Sequence, residues 1–188
     1  MVRDFYPFFM VVGFLFCVKV NTSRRHIPLV GEGVRWYNSR LPRSASHSNL
    51  ISLCRLLGFI AQDSNCLETS SLYITNAVKC DRCDATGKTG RVNVNNLQAA
   101  KCRERFLVKE LVAVNASVLV FFGKNAQRYA LGRTTPLWRI HREQLNGSSF
   151  WVMRVPHTSP PSFNTYGGRG RNYIAPFNVL CRRASISI

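Results

Sequence analysis

Tyr73-Ile-Thr-Asn-Ala-Val-Lys-Cys80 is a short run of aromatic, β-branched and apolar residues broken by Thr75 and Asn76. Its composition is that of a buried strand whose end delivers an amide side chain. In open α/β sheets the carboxyl ends of the strands border the ligand crevice, so Asn76 falls where a binding group belongs. Far along the chain, Val155-Pro-His-Thr-Ser-Pro-Pro-Ser162 repeats the arrangement, with His157 just past the apolar residues. An amide that both donates and accepts, facing an imidazole that donates, can read the edge of a nucleobase and hold charge that develops there.

Outward from these two segments, apolar runs at 8–20, 72–78, 117–122 and 150–155 predict four strands. Helical patterns lie between them. Leu50, Leu53, Cys54, Leu56 and Leu57 recur at helical spacing, and Gly58 is placed to end that helix. A second helix spans 96–114, with Leu97, Phe106, Leu107 and Leu111 on its inner face, and a third spans 124–131 and stops at Gly132. Strands alternating with helices predict an α/β fold, a three-layer α/β/α arrangement around a central, mostly parallel four-stranded sheet. With 188 residues, 46% of them hydrophobic, the chain is expected to form a single domain over 1–188. The polar stretch 81–95 and the Pro-, Gly- and Arg-containing tail after His157 both read as loops.

Lys and Arg number 26 against 9 acidic residues, a formal net charge of +17. An excess of this size favours a polyanionic partner, nucleic acid above all, and its Arg-rich make-up suits forked contacts to phosphate. The apolar start at 5–20 has the hydropathy of a signal peptide, and Asn21-Thr-Ser, Asn115-Ala-Ser and Asn146-Gly-Ser match the glycosylation sequon, so a secreted glycoprotein is one alternative. Asp4, Pro7, the lack of a small-x-small cleavage site and an odd count of 7 cysteines point instead to an intracellular protein with its first core strand there. The run is too short to argue for a membrane span, and no membrane partner is expected.

The order and spacing of Tyr73 to Cys80, a polar loop, Cys102-Arg-Glu-Arg-Phe-Leu107 and Ala116-Ser-Val-Leu-Val-Phe-Phe-Gly123 with Ala126 resemble the uracil-DNA glycosylase superfamily, closest to its iron-sulfur branch. The resemblance implies a DNA-repair hydrolase, acting as a monomer on DNA. It would flip uracil or another deaminated base out of the stack and hydrolyse the N-glycosidic bond. It implies Asn76 as the base-reading residue. His157, opening a variant of the family's His-Pro-Ser-Pro motif with Thr158 for the first Pro, would donate to the uracil oxygen that gains charge, with Ser159 beside the substrate. The segment 159–171 would approach DNA, with Arg169 and Arg171 on phosphates and Pro161 or Phe163 filling the gap in the stack.

The resemblance also exposes departures. The family's first motif is best matched by Met10-Val-Val-Gly-Phe-Leu-Phe-Cys17, placing Gly13 and Phe14 at the substrate, with Phe14 where the iron-sulfur branch has Glu. Glu32, in Gly31-Glu-Gly33, is the alternative carboxylate for the attacking water. Cys80 and Cys102 match the last two cluster ligands, and Cys80-x-x-Cys83 has ligand-like spacing, so an iron-sulfur cluster would need Cys83 with Cys17 or Cys181. The branch's first two cysteines have no counterpart. An incomplete ligand set and Phe14 make a truncated or degenerate relative, binding nucleic acid with weak or no catalysis, the principal alternative. Otherwise the cysteines are buried thiols, or Cys54 or Cys66 is a nucleophile beside His47 or His141.

Overall fold

Val118-Leu-Val-Phe-Phe122 is buried along its whole length, and a strand of that kind needs cover on both of its faces. The computed structural model, which describes residues 14–18, 45–59, 61, 62, 72–77, 96–114 and 116–184, supplies that cover. The strands are β1 (Phe14–Val18), β2 (Leu72–Asn76), β3 (Val118–Phe122), β4 (Ile140–Leu145) and β5 (Ser148–Val155). They form one sheet in the order β2-β1-β3-β5-β4. Alternate residues of β3 feed two separate cores: Val118, Val120 and Phe122 on one face, Leu119 and Phe121 on the other. On β5, Met153 and Val155 join the first core while Phe150 and Val152 join the second.

Helix α1 (Ala45–Leu56) packs on the first face through Leu50, Ile51, Leu53 and Cys54. It ends at Leu57 and Gly58, the latter at φ 76, where Gly58 N–H bonds to Arg55 O and Phe59 N–H to Cys54 O, the paired bonds of a Schellman cap. On the second face lie α2 (Asn96–Cys102) and α3 (Val108–Val114), joined by a π-helical turn at Arg103–Leu107, and α4 (Lys124–Leu131), closed by left-handed Gly132. Three layers are therefore present, as expected. Among the described residues no helix is long and apolar enough to cross a membrane.

The sheet itself departs from expectation. Among the described residues it has five strands in a mixed arrangement, of which β3 and β5 pair in parallel, whereas β1 runs antiparallel to both β2 and β3, and β4 to β5. The expected parallel sheet assumes a helix returning between every pair of strands. β1 and β2 nevertheless pair antiparallel with α1 between them in sequence. The added strand β4 follows from Asn146-Gly147, whose φ values of 48 and 79 make the two-residue turn that forces an antiparallel hairpin. The third sequon thus sits in a tight hairpin turn.

The tail after His157 is helical, not a loop. Pro160 and Pro161 occupy the first turn of α5 (Pro160–Thr165), where a missing N–H costs no hydrogen bond. A 3-10 turn at Gly168–Gly170 leads into α6 (Arg171–Arg183), whose buried Tyr173, Phe177, Leu180 and Cys181 recur at helical spacing. In the second helical segment the expected inner face is also displaced. Leu107 and Leu111 are buried, while Phe106 is 41% and Leu97 66% exposed. The wider π turn adds one residue, so the buried stripe that includes Ala99 and Cys102 resumes at Leu107 rather than Phe106. Leu56 likewise ends up exposed.

Candidate active site at the carboxyl edge of the sheet

The strand pairings bring the two motifs to one edge. Asn76 pairs with Phe14, Leu15 with Phe121, and Phe122 with Val155, so the carboxyl ends of β2, β3 and β5 and the start of β1 lie side by side. Asn76 closes β2 on this edge and His157 stands two residues past the end of β5. Three strand intervals separate β2 from β5, a span of about 14 Å at the usual strand spacing. Phe14 shares the edge by register with Asn76. Gly13, Glu32, Cys80 and Cys83 lie outside the described residues, as do the side chains of Phe14 and Asn76.

Position and protonation of His157 are both set by its neighbours. Ser159 N–H donates to His157 Nδ1 at 2.9 Å. An Nδ1 that accepts carries no proton, so in the neutral ring the proton sits on Nε2 and that nitrogen is the donor. Burial holds the imidazole pKa below its ordinary value, which keeps the ring neutral at pH 7. Ser159, expected beside the substrate, therefore acts here through its backbone, as a positioning residue.

Residues without a signal in the sequence fix the same segment. The Tyr173 hydroxyl donates to Pro156 O at 3.0 Å, and Asn49 Nδ2 donates to Thr158 O at 2.8 Å, pinning the carbonyls on either side of His157. Tyr173 is itself clamped by the edge of Trp138, at a centroid distance of 5.1 Å. Thr158, in place of the motif's Pro, is fully buried, and its backbone carbonyl receives the Asn49 amide. Gly123 completes the arrangement. Its N–H bonds to Val155 O, its φ is +93, and a Cβ there would come within 3.4 Å of the His157 Cβ. The positive φ is what favours glycine here, since an added Cβ would only touch His157 at ordinary contact distance.

On the β2 side, buried Thr75 donates its hydroxyl to Glu110 Oε1 at 2.9 Å. Of the other described carboxylates, Glu143 accepts Arg133 at 2.6 Å on the outer strand β4, and Glu104 lies exposed, 3.8 Å from Arg103.

Of the residues expected on DNA, Arg169, Arg171 and Pro161 are exposed around the start of α5 and α6, and Arg169 adopts φ 54. Phe163 is corrected. The α5 turn points it inward, 5% exposed and 5.9 Å from the Tyr173 ring, so it is core and cannot enter a base stack.

Cys102 and Cys181 do not come together around one iron-sulfur cluster. Cys102 lies on α2 over the second core, whereas Cys181 lies on α6 over the first, with the sheet between them. Cys181 is thus excluded as the partner that would complete a set containing Cys102. Burial pushes its thiol up to about 11, away from the thiolate a metal requires. Among the described residues no three His, Cys, Asp or Glu side chains are grouped to hold a metal. Cys54 is fully buried and its thiol pKa is raised by that burial, which removes it as a nucleophile.

The model of the uracil DNA glycosylase superfamily matches residues 36–180, from ahead of α1 to within α6. The chain belongs to the uracil DNA glycosylase superfamily. No curated protein matches the chain closely enough to add a relative. Superfamily membership brings DNA as substrate and glycosylase-type hydrolysis as the activity of the family. The match contains Asn76, Gly123 and His157, while β1 with Phe14 and Cys17, and likewise Glu32 and Cys181, fall outside it.

Proposed function

We propose that the protein is a DNA N-glycosylase that excises uracil, or a related deaminated base, after flipping it out of the DNA. The observation that carries this reading is the His157 arrangement: a neutral ring with its proton on Nε2, braced at the carboxyl edge of the sheet that also ends β2 at Asn76. Breaking the glycosidic bond leaves negative charge on the departing base. A preorganised neutral donor in a desolvated site stabilises that charge without reorganising. In this reading His157 Nε2–H meets a carbonyl oxygen of the base, Asn76 reads its edge, and Gly123 lets the ring approach. Arg169 and Arg171 hold phosphates and exposed Pro161 enters the stack.

Single-turnover release of uracil from an oligonucleotide carrying one uracil tests it. The His157→Ala replacement is expected to slow release by about 10²–10³-fold, the effect of losing one oxyanion donor. Asn76→Ala is expected to be slow as well. Wild-type rates in both variants would show that the site is assigned wrongly.

A second reading is a DNA-binding relative with weak or no catalysis. It is favoured by Phe14, which meets Asn76 at the edge where the iron-sulfur branch has Glu. Tight binding to uracil-containing DNA without base release would select it.

A further inference from the structure

Residues 124–183 contain ten Lys and Arg and one carboxylate, Glu143, which is taken by Arg133. Part of this charge is built into a structure far from His157. Arg142 on β4 pairs across the hairpin with Trp151 on β5, and its guanidinium stands over the indole at 4.6 Å from the ring centre. Arg183, in the last turn of α6, brings a second guanidinium to the same ring at 5.7 Å. Arg142 is further fixed by donating to Ser149 Oγ at 3.1 Å. Arg142, Arg182 and Arg183 are exposed, and none of them pairs with a described carboxylate.

Two like charges gathered on one indole repel each other, and that cost is offset when an anion lies between them. The ring contacts also restrict two long side chains in advance, lowering the entropy given up when they grip a ligand. Trp151 lies six residues before His157 on an extended strand, about 20 Å away. It is in register with Val118 at the opposite edge of the sheet from the site. Among the described residues the exposed large apolar side chains Leu56, Leu97, Phe106 and Tyr166 belong to other elements, and Ile174 lies on α6 nine residues before Arg183, more than two turns away, so none stands beside Trp151 as an inserting side chain of a membrane-binding surface would.

We propose that Arg142 and Arg183, held on Trp151, form a second contact for the phosphate backbone of duplex DNA, at the sheet edge opposite the site. The proposal rests on the function above only for its choice of partner.

The test is equilibrium binding of a short undamaged duplex over a range of salt concentrations, read by fluorescence anisotropy. Replacing both arginines, Arg142→Gln with Arg183→Gln, is expected to reduce the slope of log affinity against log salt by about two, one unit for each phosphate that is no longer neutralised. The double replacement Arg142→Lys with Arg183→Lys keeps the charges and is expected to keep the wild-type slope, which separates the removal of charge from misfolding. A wild-type slope in the Gln pair overturns the proposal. So does a Gln pair that loses binding to phosphatidylserine vesicles while its duplex binding is unchanged. Uracil release by the wild-type protein is read separately: a reduced slope without release leaves this proposal standing and removes the catalytic one, and the converse result does the opposite.

Discussion

His157 is neutral because its surroundings exclude water, and a proton is therefore what its site resists. Its folded pKa lies below the unfolded value of about 6.5. The unfolded chain then binds more protons as pH falls, so the stability tied to the neutral ring is present above about pH 6.5 and is lost as pH falls through the folded pKa. Urea midpoints are expected to decline below that pH more steeply for the wild type than for His157→Gln. Base release should likewise show its acid limb below about pH 6.5. Gly123 gives a second prediction at this scale. Gly123→Ala forces a side chain onto φ +93, beside His157, and this backbone strain is expected to cost about 1–3 kcal/mol in urea unfolding and to slow release.

Helices and strands show how much was legible in advance. β3, α1 and α4 follow from apolar runs and from Gly58 and Gly132, because burial and capping are local facts of sequence. The π turn at Arg103–Leu107 was not legible, since one extra residue per turn leaves composition unchanged while exchanging Phe106 for Leu107. Leu107→Ala is accordingly expected to cost about 2–5 kcal/mol, and Phe106→Ala no more than about 0.5, by chemical denaturation. α6 carried a readable stripe in Tyr173, Phe177, Leu180 and Cys181, hidden behind the glycines at 167, 168 and 170. β4 had a signal too, in Asn146-Gly147. Asn76 and His157 were readable as strand-end polar residues, whereas Asn49 and Tyr173 act on the His157 segment through contacts 109 and 17 residues apart, which no local pattern encodes.

Across the whole molecule the dominant quantity is charge. A net +17 stores self-repulsion in the compact state, and salt screens it. Moderate monovalent salt is therefore expected to raise the thermal midpoint while weakening DNA binding, opposite responses that calorimetry and anisotropy can follow on one sample.

The sheet order carries one more consequence. Among the described strands β2 pairs with β1 alone, and β1 lies upstream of the residues that the superfamily model matches. The matched span thus leaves out the strand that joins β2 to the rest of the sheet. A chain trimmed to begin at residue 36 would lose the strand between β2 and β3 and is expected to leave β2, with Asn76, without ladder hydrogen bonds and tied to the rest through contacts such as Thr75 to Glu110. The matched span and the sheet therefore have different boundaries: β2 lies inside the match, and the strand that pairs with it lies ahead of it.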